Sequence, residues 1–271
     1  MLTRLKLPKH YQDKMITSTA NAQVKNLAQL IKKSKARTEQ RVYLVEGIKM
    51  FQEAPKNEIV KAYISEELYE KGTLQEALKG ISYEILKKEV FDHVADTKTP
   101  QGILCVMKQK NYSLDQLTAG NCPLLLVLEN IQDPGNLGTM MRTAEGAGVS
   151  GVLLSRGCVD IYNPKTIRST MGSIYRVPFL YTDDLLGDLD KLHEKGITTF
   201  AAHLKGRGFY DEESYKIPTA FLIGNEGNGL SDEISEKAKQ YIKIPMEGQL
   251  ESLNAAVAAA ILMYEASRQR R

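Results

Sequence analysis

"FLIGNEGNGL", residues 221–230, runs an apolar tetrad into a loop with three glycines, two asparagines and a carboxylate. A strand written "TAFLIG" has to surrender its hydrogen-bond ladder at Gly224, and Gly227 and Gly229 permit positive φ or a close backbone approach to something lying on the loop. Ser231 then suits an N-cap, with Asp232 and Glu233 in the first helical turn, where negative charge meets the positive end of the helix dipole. That arrangement disfavours phosphate. The glycine order is G-x-x-G-x-G rather than G-x-G-x-x-G, and no G-K-[ST] follows, so neither dinucleotide-binding nor P-loop mechanics fit. An acidic, glycine-bearing loop suits a cationic or neutral ligand; a plain β-α turn fits the segment equally well.

Outward from this loop, the runs "LLLVLEN", "GVLLS", "VPFLY", "ITTFAAHL", "TAFLIG" and "YIKIPM" alternate with helix-like stretches. This is the pattern of a parallel sheet covered on both faces, whose ligands lie at the carboxyl ends of strands. Nearer the N-terminus, "VYLVEG", "IVKAYIS" and "GILCVMK" read as strands of a smaller α/β unit, preceded by a helix with Val24, Leu27, Ala28 and Ile31 on one stripe. The polar, turn-rich stretch "NYSLDQLTAGNCP" separates the two. The expected organisation is therefore α/β throughout: a smaller domain over 1–110, a linker over 111–122 and a mostly parallel larger domain over 123–271.

Two further strand-to-helix junctions carry polar residues where such a sheet places its site. In "ENIQDPGNLGTMMRTAEGAG", Asp133, Pro134 and Gly135 turn the chain and Asn136 is the expected N-cap. Leu137, Met140, Met141, Ala144 and Ala147 form one apolar stripe, and Arg142 falls on the opposite side, as a ligand-reaching side chain or as a solvated surface arginine. In "YIKIPMEGQLESLNAAVAAAILMYEASRQRR", Ser252 is the expected N-cap, and Asn254 is the one polar residue between Leu253 and Met263. Buried unpaired, its amide would cost roughly 1–3 kcal/mol, so it serves either a structural hydrogen bond or the site. A helix apolar nearly all round also calls for cover on its outer face, most simply by a second subunit.

The 271 residues, 42% of them hydrophobic and 25% charged, are ample for real cores and fit two domains. Eighteen consecutive uncharged apolar residues never occur and no signal-peptide h-region opens the chain, so a cytoplasmic protein without membrane contact is expected. Cys105, Cys122 and Cys158 form no C-x-x-C, and His10, His93, His193 and His203 have no ligand spacing, so neither disulfides nor a metal is expected. The formal net charge of +3 is unevenly spread. Residues 1–110 carry 20 Lys and Arg against 13 Asp and Glu, an excess of +7, whereas 111–271 carry 16 against 20, or −4. Residues 1–41 alone hold ten basic side chains, among them Arg4, Lys6, Lys9 and Lys14, against two acidic ones. Lys25, Lys32, Lys33, Lys35, Arg37 and Arg41 suit a phosphate backbone, or else form a solvated face.

Taken together, "NIQDPGNLGTMMRTAEGAG", "FLIGNEGNGLSDEI" and "IPMEGQLESLNAAVAAAI" resemble, in order and spacing, the three motifs of the SpoU/TrmH family of RNA ribose 2′-O-methyltransferases. "YLVEGIKMFQEA" and "VADTKTPQGILCVM" resemble the L30e-type RNA-binding domain often attached to that family. The resemblance implies a trefoil-knotted α/β sheet, an exception to the usual absence of knots. It also implies a homodimer, with S-adenosylmethionine bound in the knot. By residue-by-residue transfer it implies a catalytic set of Asn136, Arg142, Glu226, Ser252 and Asn254, and a cofactor set of Ala202, Leu222, Gly224, Asn225, Gly229, Ile244, Met246 and Leu253. The implied substrate is RNA, with ribosomal RNA favoured over tRNA by the appended basic domain. A catalytically silent RNA-binding protein of the same fold, or a nucleotide-dependent enzyme on a doubly wound sheet, are the rivals; intact motif residues oppose the first, absent phosphate motifs the second.

Overall fold

The computed structural model describes residues 15–203, 206, 208–250 and 252–271, so Arg4, Lys6, Lys9 and Lys14 lie outside the described residues. Backbone contacts divide the chain into two compact units. The first comprises Met1–Lys110 with Tyr162–Arg168, the second Asn111–Ile161 with Ser169–Arg271.

In the first unit, β1 (Val42–Glu46), β2 (Ile59–Ser65), β3 (Tyr83–Leu86) and β4 (Ile103–Lys108) make a sheet of order β1-β4-β2-β3. β4 runs antiparallel to β1 and β2, and β3 lies parallel to β2 at the edge. The expected N-terminal helix spans Ala22–Lys32; Asn21 caps it by accepting from the Gln23 N–H, and Val24, Leu27 and Leu30 are buried. Leu30 thus takes a core position, while Ala28 and Ile31 are half-buried. The helix breaks at Lys33, which is extended, and resumes over Ser34–Gln40.

That break corrects one expectation. Arg37 is not a phosphate contact: it is 3% exposed, and its guanidinium donates to the carbonyls of Leu30 at 2.6 Å and Ile31 at 3.1 Å. These are carbonyls that a terminating helix leaves without partners, and a buried arginine satisfies them. Lys25, Lys32, Lys33, Lys35 and Arg41 are all exposed.

In the second unit, β5 (Leu124–Leu128), β6 (Gly151–Ser155), β7 (Phe179–Thr182), β8 (Thr198–Ala202), β9 (Gly208–Phe209), β10 (Thr219–Ile223) and β11 (Gln240–Lys243) form a sheet of order β7-β6-β5-β10-β8-β11-β9. Each neighbouring pair is parallel. Every residue of β5 and of β10 is buried, which is why both read as unbroken apolar runs: central strands of a sheet covered on two faces have no polar side. The chain moves outward from β5 through β6 to β7 and later builds the other flank, with β10 laid between β5 and β8. The strand order therefore reverses beside β5, and such a switch point opens a crevice at the carboxyl ends of the strands.

Residues 111–122 belong to the second unit and include a one-turn helix, Leu114–Leu117, closed by a capping box between Ser113 and Gln116. Leu117 is fully buried against β6, where Gly151 makes room: a Cβ there would lie 2.4 Å from the leucine Cγ. Two helices then frame the crevice, Pro134–Ala147 and Ala255–Gln269, which pack on one another. In the first, Leu137, Met140, Met141, Ala144 and Ala147 are buried, as their spacing predicts. Both N-caps differ from expectation. Asp133, not Asn136, accepts from the Asn136 N–H with Pro134 in the first turn, and Asn254, not Ser252, accepts from the N–H groups of Ala256 and Val257. Asn136, displaced from the cap, is released to other contacts.

Candidate active site

The loop after β10 is built on one close approach. A Cβ at Gly224 would lie 2.0 Å from the Gly229 carbonyl carbon and 2.1 Å from the Leu230 nitrogen, so only glycine fits. Across it Asn225 and Gly229 exchange two backbone hydrogen bonds, each 2.9 Å, with Gly229 at φ +71°. The Asn225 side chain fixes the loop internally, its Oδ1 accepting from the N–H groups of Gly227 and Asn228. Its Nδ2 donates to the Asn130 carbonyl at 2.8 Å, tying the loop to the segment after β5. Ser231 caps the next helix as expected, and is itself held by Glu129, whose carboxylate accepts from the Ser231 N–H and hydroxyl at 2.8 and 2.7 Å.

Glu226, at the loop tip, accepts from the backbone N–H groups of Gln132 and Asp133, each at 3.2 Å, and from the Asn136 amide at 2.9 Å. Asn136 is in turn 3.1 Å from the Asn254 amide. Three segments of the sequence thus meet at one point. Partial burial pushes the Glu226 carboxyl upward, but the hydrogen bonds from Asn136, its own backbone, Gln132 and Asp133 outweigh it and hold the group below its ordinary range. None of these donors carries charge, so the carboxylate is stabilised as an anion by neutral hydrogen bonds.

Beside this junction lies a cleft of about 300 Å³, entirely within the second unit. Ala202, Gly224, Asn225, Gly229, Ile244, Met246 and Leu253 line it, as do Glu226 and Ser252. Leu222 does not: its side chain is packed into the sheet core, and Ile223, of opposite pleat, faces the cleft instead. Apolar walls from Ile244, Met246, Leu253 and Ala202 with a glycine-rich backbone rim suit a flat, mostly neutral group such as an adenosine. The carboxylate at one side suits a cationic appendage. Arg142 is exposed, six residues along the helix from Asn136 and off its buried stripe.

Several participants have weaker sequence signatures. Glu129 and Asn130 close the strand-like run "LLLVLEN" and Gln132 follows it before the turn at Asp133, so none stands out by itself, and the partners Ser231, Asn225 and Glu226 are about a hundred residues away. Asp133 carries a usable signal, an Asp immediately before Pro. Cys158 is structural: burial pushes its thiol up, and it donates to the Leu128 carbonyl at 3.3 Å. The described residues contain no group of His, Cys, Asp and Glu arranged to hold a metal.

A parallel sheet with an adenosine-sized cleft at the carboxyl ends of β8, β10 and β11, and no phosphate-binding glycine motif in its sequence, belongs to the α/β methyltransferase class seen in solved SPOUT structures. Residues 123–264 match the SpoU rRNA Methylase family and residues 21–105 the MRM3-like substrate binding domain. The chain is 36% identical over 252 residues to the 23S rRNA (guanosine(2553)-2′-O)-methyltransferase RlmP of Bacillus subtilis, covering 93% of this chain and 98% of that one. It is 31% identical over 300 residues to the human mitochondrial rRNA methyltransferase 3, covering 89% and 71%. The AdoMet-bound rRNA methyltransferase of Sinorhizobium meliloti superposes with a TM-score of 0.82 at 29% identity, over 94% of this chain and 97% of that one. The chain belongs to the SpoU rRNA methylase family, and so to the S-adenosylmethionine-dependent RNA ribose 2′-O-methyltransferases.

Proposed function

We propose that the chain methylates a ribose 2′-hydroxyl of ribosomal RNA, with the junction of Glu226, Asn136 and Asn254 at the mouth of the cleft as its reaction centre. The observation that carries this reading is that hydrogen-bonded junction, which gathers three sequence segments against one apolar cleft. The presence of both the SpoU and the substrate-binding matches in one chain, and full-length similarity to an rRNA enzyme, favour ribosomal RNA over tRNA.

Ala202, Gly224, Asn225, Gly229, Ile244, Met246 and Leu253 hold S-adenosylmethionine, which when bound offers an electrophilic methyl on a sulfonium. Attack by a hydroxyl needs in-line alignment and relief of a weakly acidic proton. Glu226, held ionised, keeps a negative field on the catalytic side of the loop. Asn136 and Asn254 fix that carboxylate, and Ser252 lines the entry for the ribose. A guanidinium has donors and no acceptor, so Arg142 is a poor candidate to take the proton. Its role is to clamp the substrate phosphate and lower the cost of alkoxide formation, while the phosphate or a water takes the proton.

RNA is captured chiefly by the first unit, through the exposed Lys25, Lys32, Lys33, Lys35 and Arg41. The enzyme is a homodimer: Val257 and Tyr264, 48% and 49% exposed, lie two turns apart on the outer face of the Ala255–Gln269 helix and are covered by a second copy. The loops around the cleft are those threaded in the trefoil knot. We assign the reaction to the cytoplasm; no helix among the described residues is long and apolar enough to cross a membrane. Transfer of label from S-adenosylmethionine to ribosomal RNA, with mapping of the protected 2′-O-methyl position, tests the assignment. Absence of label in every rRNA, with robust labelling of tRNA, would overturn the substrate choice.

A further inference from the structure

Asn130, two residues beyond the end of β5, has φ +55°, in the left-handed region that an L side chain seldom adopts. The chain leading into it is anchored twice. The Glu129 N–H donates to the Ile223 carbonyl at 2.9 Å, and the Asn130 N–H donates to the Ser155 hydroxyl, also at 2.9 Å. With that side fixed, the value of φ decides where the Asn130 carbonyl points and where the chain goes next. The carbonyl accepts from the Asn225 amide at 2.8 Å and from the Gln132 amide at 3.1 Å. Two and three residues further on, the N–H groups of Gln132 and Asp133 hold Glu226. The contacts that tie Asn225 and Glu226, both in the cleft lining, to the segment after β5 thus lie downstream of one dihedral. The far end of the same loop is fastened upstream of it, where Glu129 holds Ser231. The Asn130 side chain has a separate contact, its Oδ1 accepting from the Ser155 hydroxyl at 3.2 Å.

We propose that Asn130 is a positioning residue for methyl transfer: its left-handed backbone, rather than its side chain, sets the cleft-lining loop and Glu226 in place for the cofactor. The inference rests on the placement of S-adenosylmethionine in this cleft proposed above. Asparagine visits the left-handed region more readily than most side chains, and glycine does so without steric cost. Alanine favours negative φ, which turns the carbonyl away from Asn225 and deprives that amide of this acceptor. The internal bonds from the Gly227 and Asn228 N–H groups to the Asn225 Oδ1, and the attachment at Ser231, do not depend on the dihedral. The loop therefore stays folded in such a variant but loses its register against the cleft, and cofactor binding has to restore it.

Asn130→Gly and Asn130→Ala in the full chain separate the backbone from the side chain. Both remove the contact from Oδ1 to Ser155, and they differ in their tolerance of positive φ. Calorimetric titration with S-adenosylmethionine is expected to place Asn130→Gly within about twofold of wild type and Asn130→Ala about tenfold weaker, the size of one hydrogen bond. In methylation kinetics Asn130→Ala should also lower kcat, because Glu226 shares the displacement, while KM for RNA stays unchanged and Asn130→Gly recovers the rate. Equal loss of affinity in the two variants would make the side-chain bond to Ser155 the operative contact and overturn the proposal. A loss in Asn130→Ala confined to its urea midpoint, with affinity and kcat as in wild type, would make the residue merely structural and overturn it too. Failure of the wild-type chain to bind S-adenosylmethionine at all would instead sink the placement of the cofactor, so the two failures are distinguishable.

Discussion

Gly224→Ala is the sharpest test of how the loop after β10 is built. The added Cβ would meet backbone on every side: 2.0 Å from the Gly229 carbonyl carbon, 2.1 Å from the Leu230 nitrogen and 2.2 Å from the Gly229 oxygen. Real Cβ contacts stay beyond 3.0 Å, so the two arms of the loop must separate by about 1 Å, and no flexible side chain can absorb it. The paired bonds between Asn225 and Gly229, now 2.9 Å, would lengthen to about 3.9 Å and cease to be hydrogen bonds. Two such bonds contribute roughly 2 kcal/mol, and the strain of overpacking adds about 1–3 kcal/mol, so a loss of about 3–5 kcal/mol is expected. That is a large share of a domain's stability. Urea unfolding followed by circular dichroism measures it, with calorimetric titration of S-adenosylmethionine reporting on the cleft. Gly227→Ala is the control: its nearest foreign atom is the Asn225 Oδ1 at 3.4 Å, an ordinary contact, and a change within about 0.5 kcal/mol is expected. If Gly224→Ala unfolded at the urea concentration of Gly227→Ala and bound cofactor as the wild type does, the close approach would have no energetic consequence and the account of the loop would be wrong.

Arg142→Ala should keep its fold and its cofactor affinity, since the side chain lies off the core stripe, yet lose RNA methylation by two orders of magnitude or more, about 3 kcal/mol of transition-state stabilisation; wild-type turnover would refute the clamp. Arg142→Lys should recover little, because a point charge does not reproduce a planar bidentate contact. Tyr264→Asp should convert a dimer to a monomer in sedimentation at micromolar concentration, and a wild-type chain already monomeric there would remove the reason for the variant. Glu226 has a depressed folded-state pKa, so its contribution to stability is complete above the unfolded value and is lost as pH falls through the folded one. The stability gap between wild type and Glu226→Gln should therefore be constant near neutrality and shrink as the medium becomes acid below pH 4.5, whereas a gap that widened would reverse the assignment. Lys32→Gln combined with Lys33→Gln should weaken RNA binding almost uniformly across sequences and flatten its dependence on log salt by about two; an unchanged slope would return these residues to a solvated face.

The strands that the sequence exposes most clearly are those whose physics is least ambiguous. β5 and β10 are buried on both faces and have no choice but to be apolar throughout. β3 escaped because an edge strand tolerates charge, and "SYEIL" carries a glutamate that pairs with Lys61 at 2.7 Å. β9, two residues long, has no period at all. The cap errors have a common cause: at Asp133 and Asn136, and again at Ser252 and Asn254, two good capping residues lie within three positions, and local propensity does not choose between them. What chooses is the distant partner, since an asparagine recruited by Glu226 is unavailable to its own helix. Arg37 was misread for a related reason. Its composition belongs to a basic run, but its geometry belongs to the helix break at Lys33, which leaves the Leu30 and Ile31 carbonyls as acceptors. Leu222 and Ile223 differ by one pleat position, and pleat parity is fixed by the sheet rather than by the residues.

The chain of side chains from Glu226 through Asn136 to Asn254 has a direction. An ionised carboxylate can only accept, so Asn136 must turn its Nδ2 toward it and leave Oδ1 facing the other way. Asn254 must then offer its own Nδ2 to that oxygen, which turns its Oδ1 back toward the N–H groups of Ala256 and Val257. Both amides, whose two ends are nearly the same shape, are thereby locked from opposite sides: the carboxylate fixes one end of the relay, and the N–H groups of Ala256 and Val257, which can only donate, fix the other. The loop after β10 and the start of the terminal helix therefore demand the same orientation of the two asparagines between them. Protonating Glu226, or replacing it with an amide, unlocks the relay at the loop end alone: Asn136 is then held only by Asn254, which keeps its Oδ1 on the helix, so the cap survives an event that uncouples the loop from it.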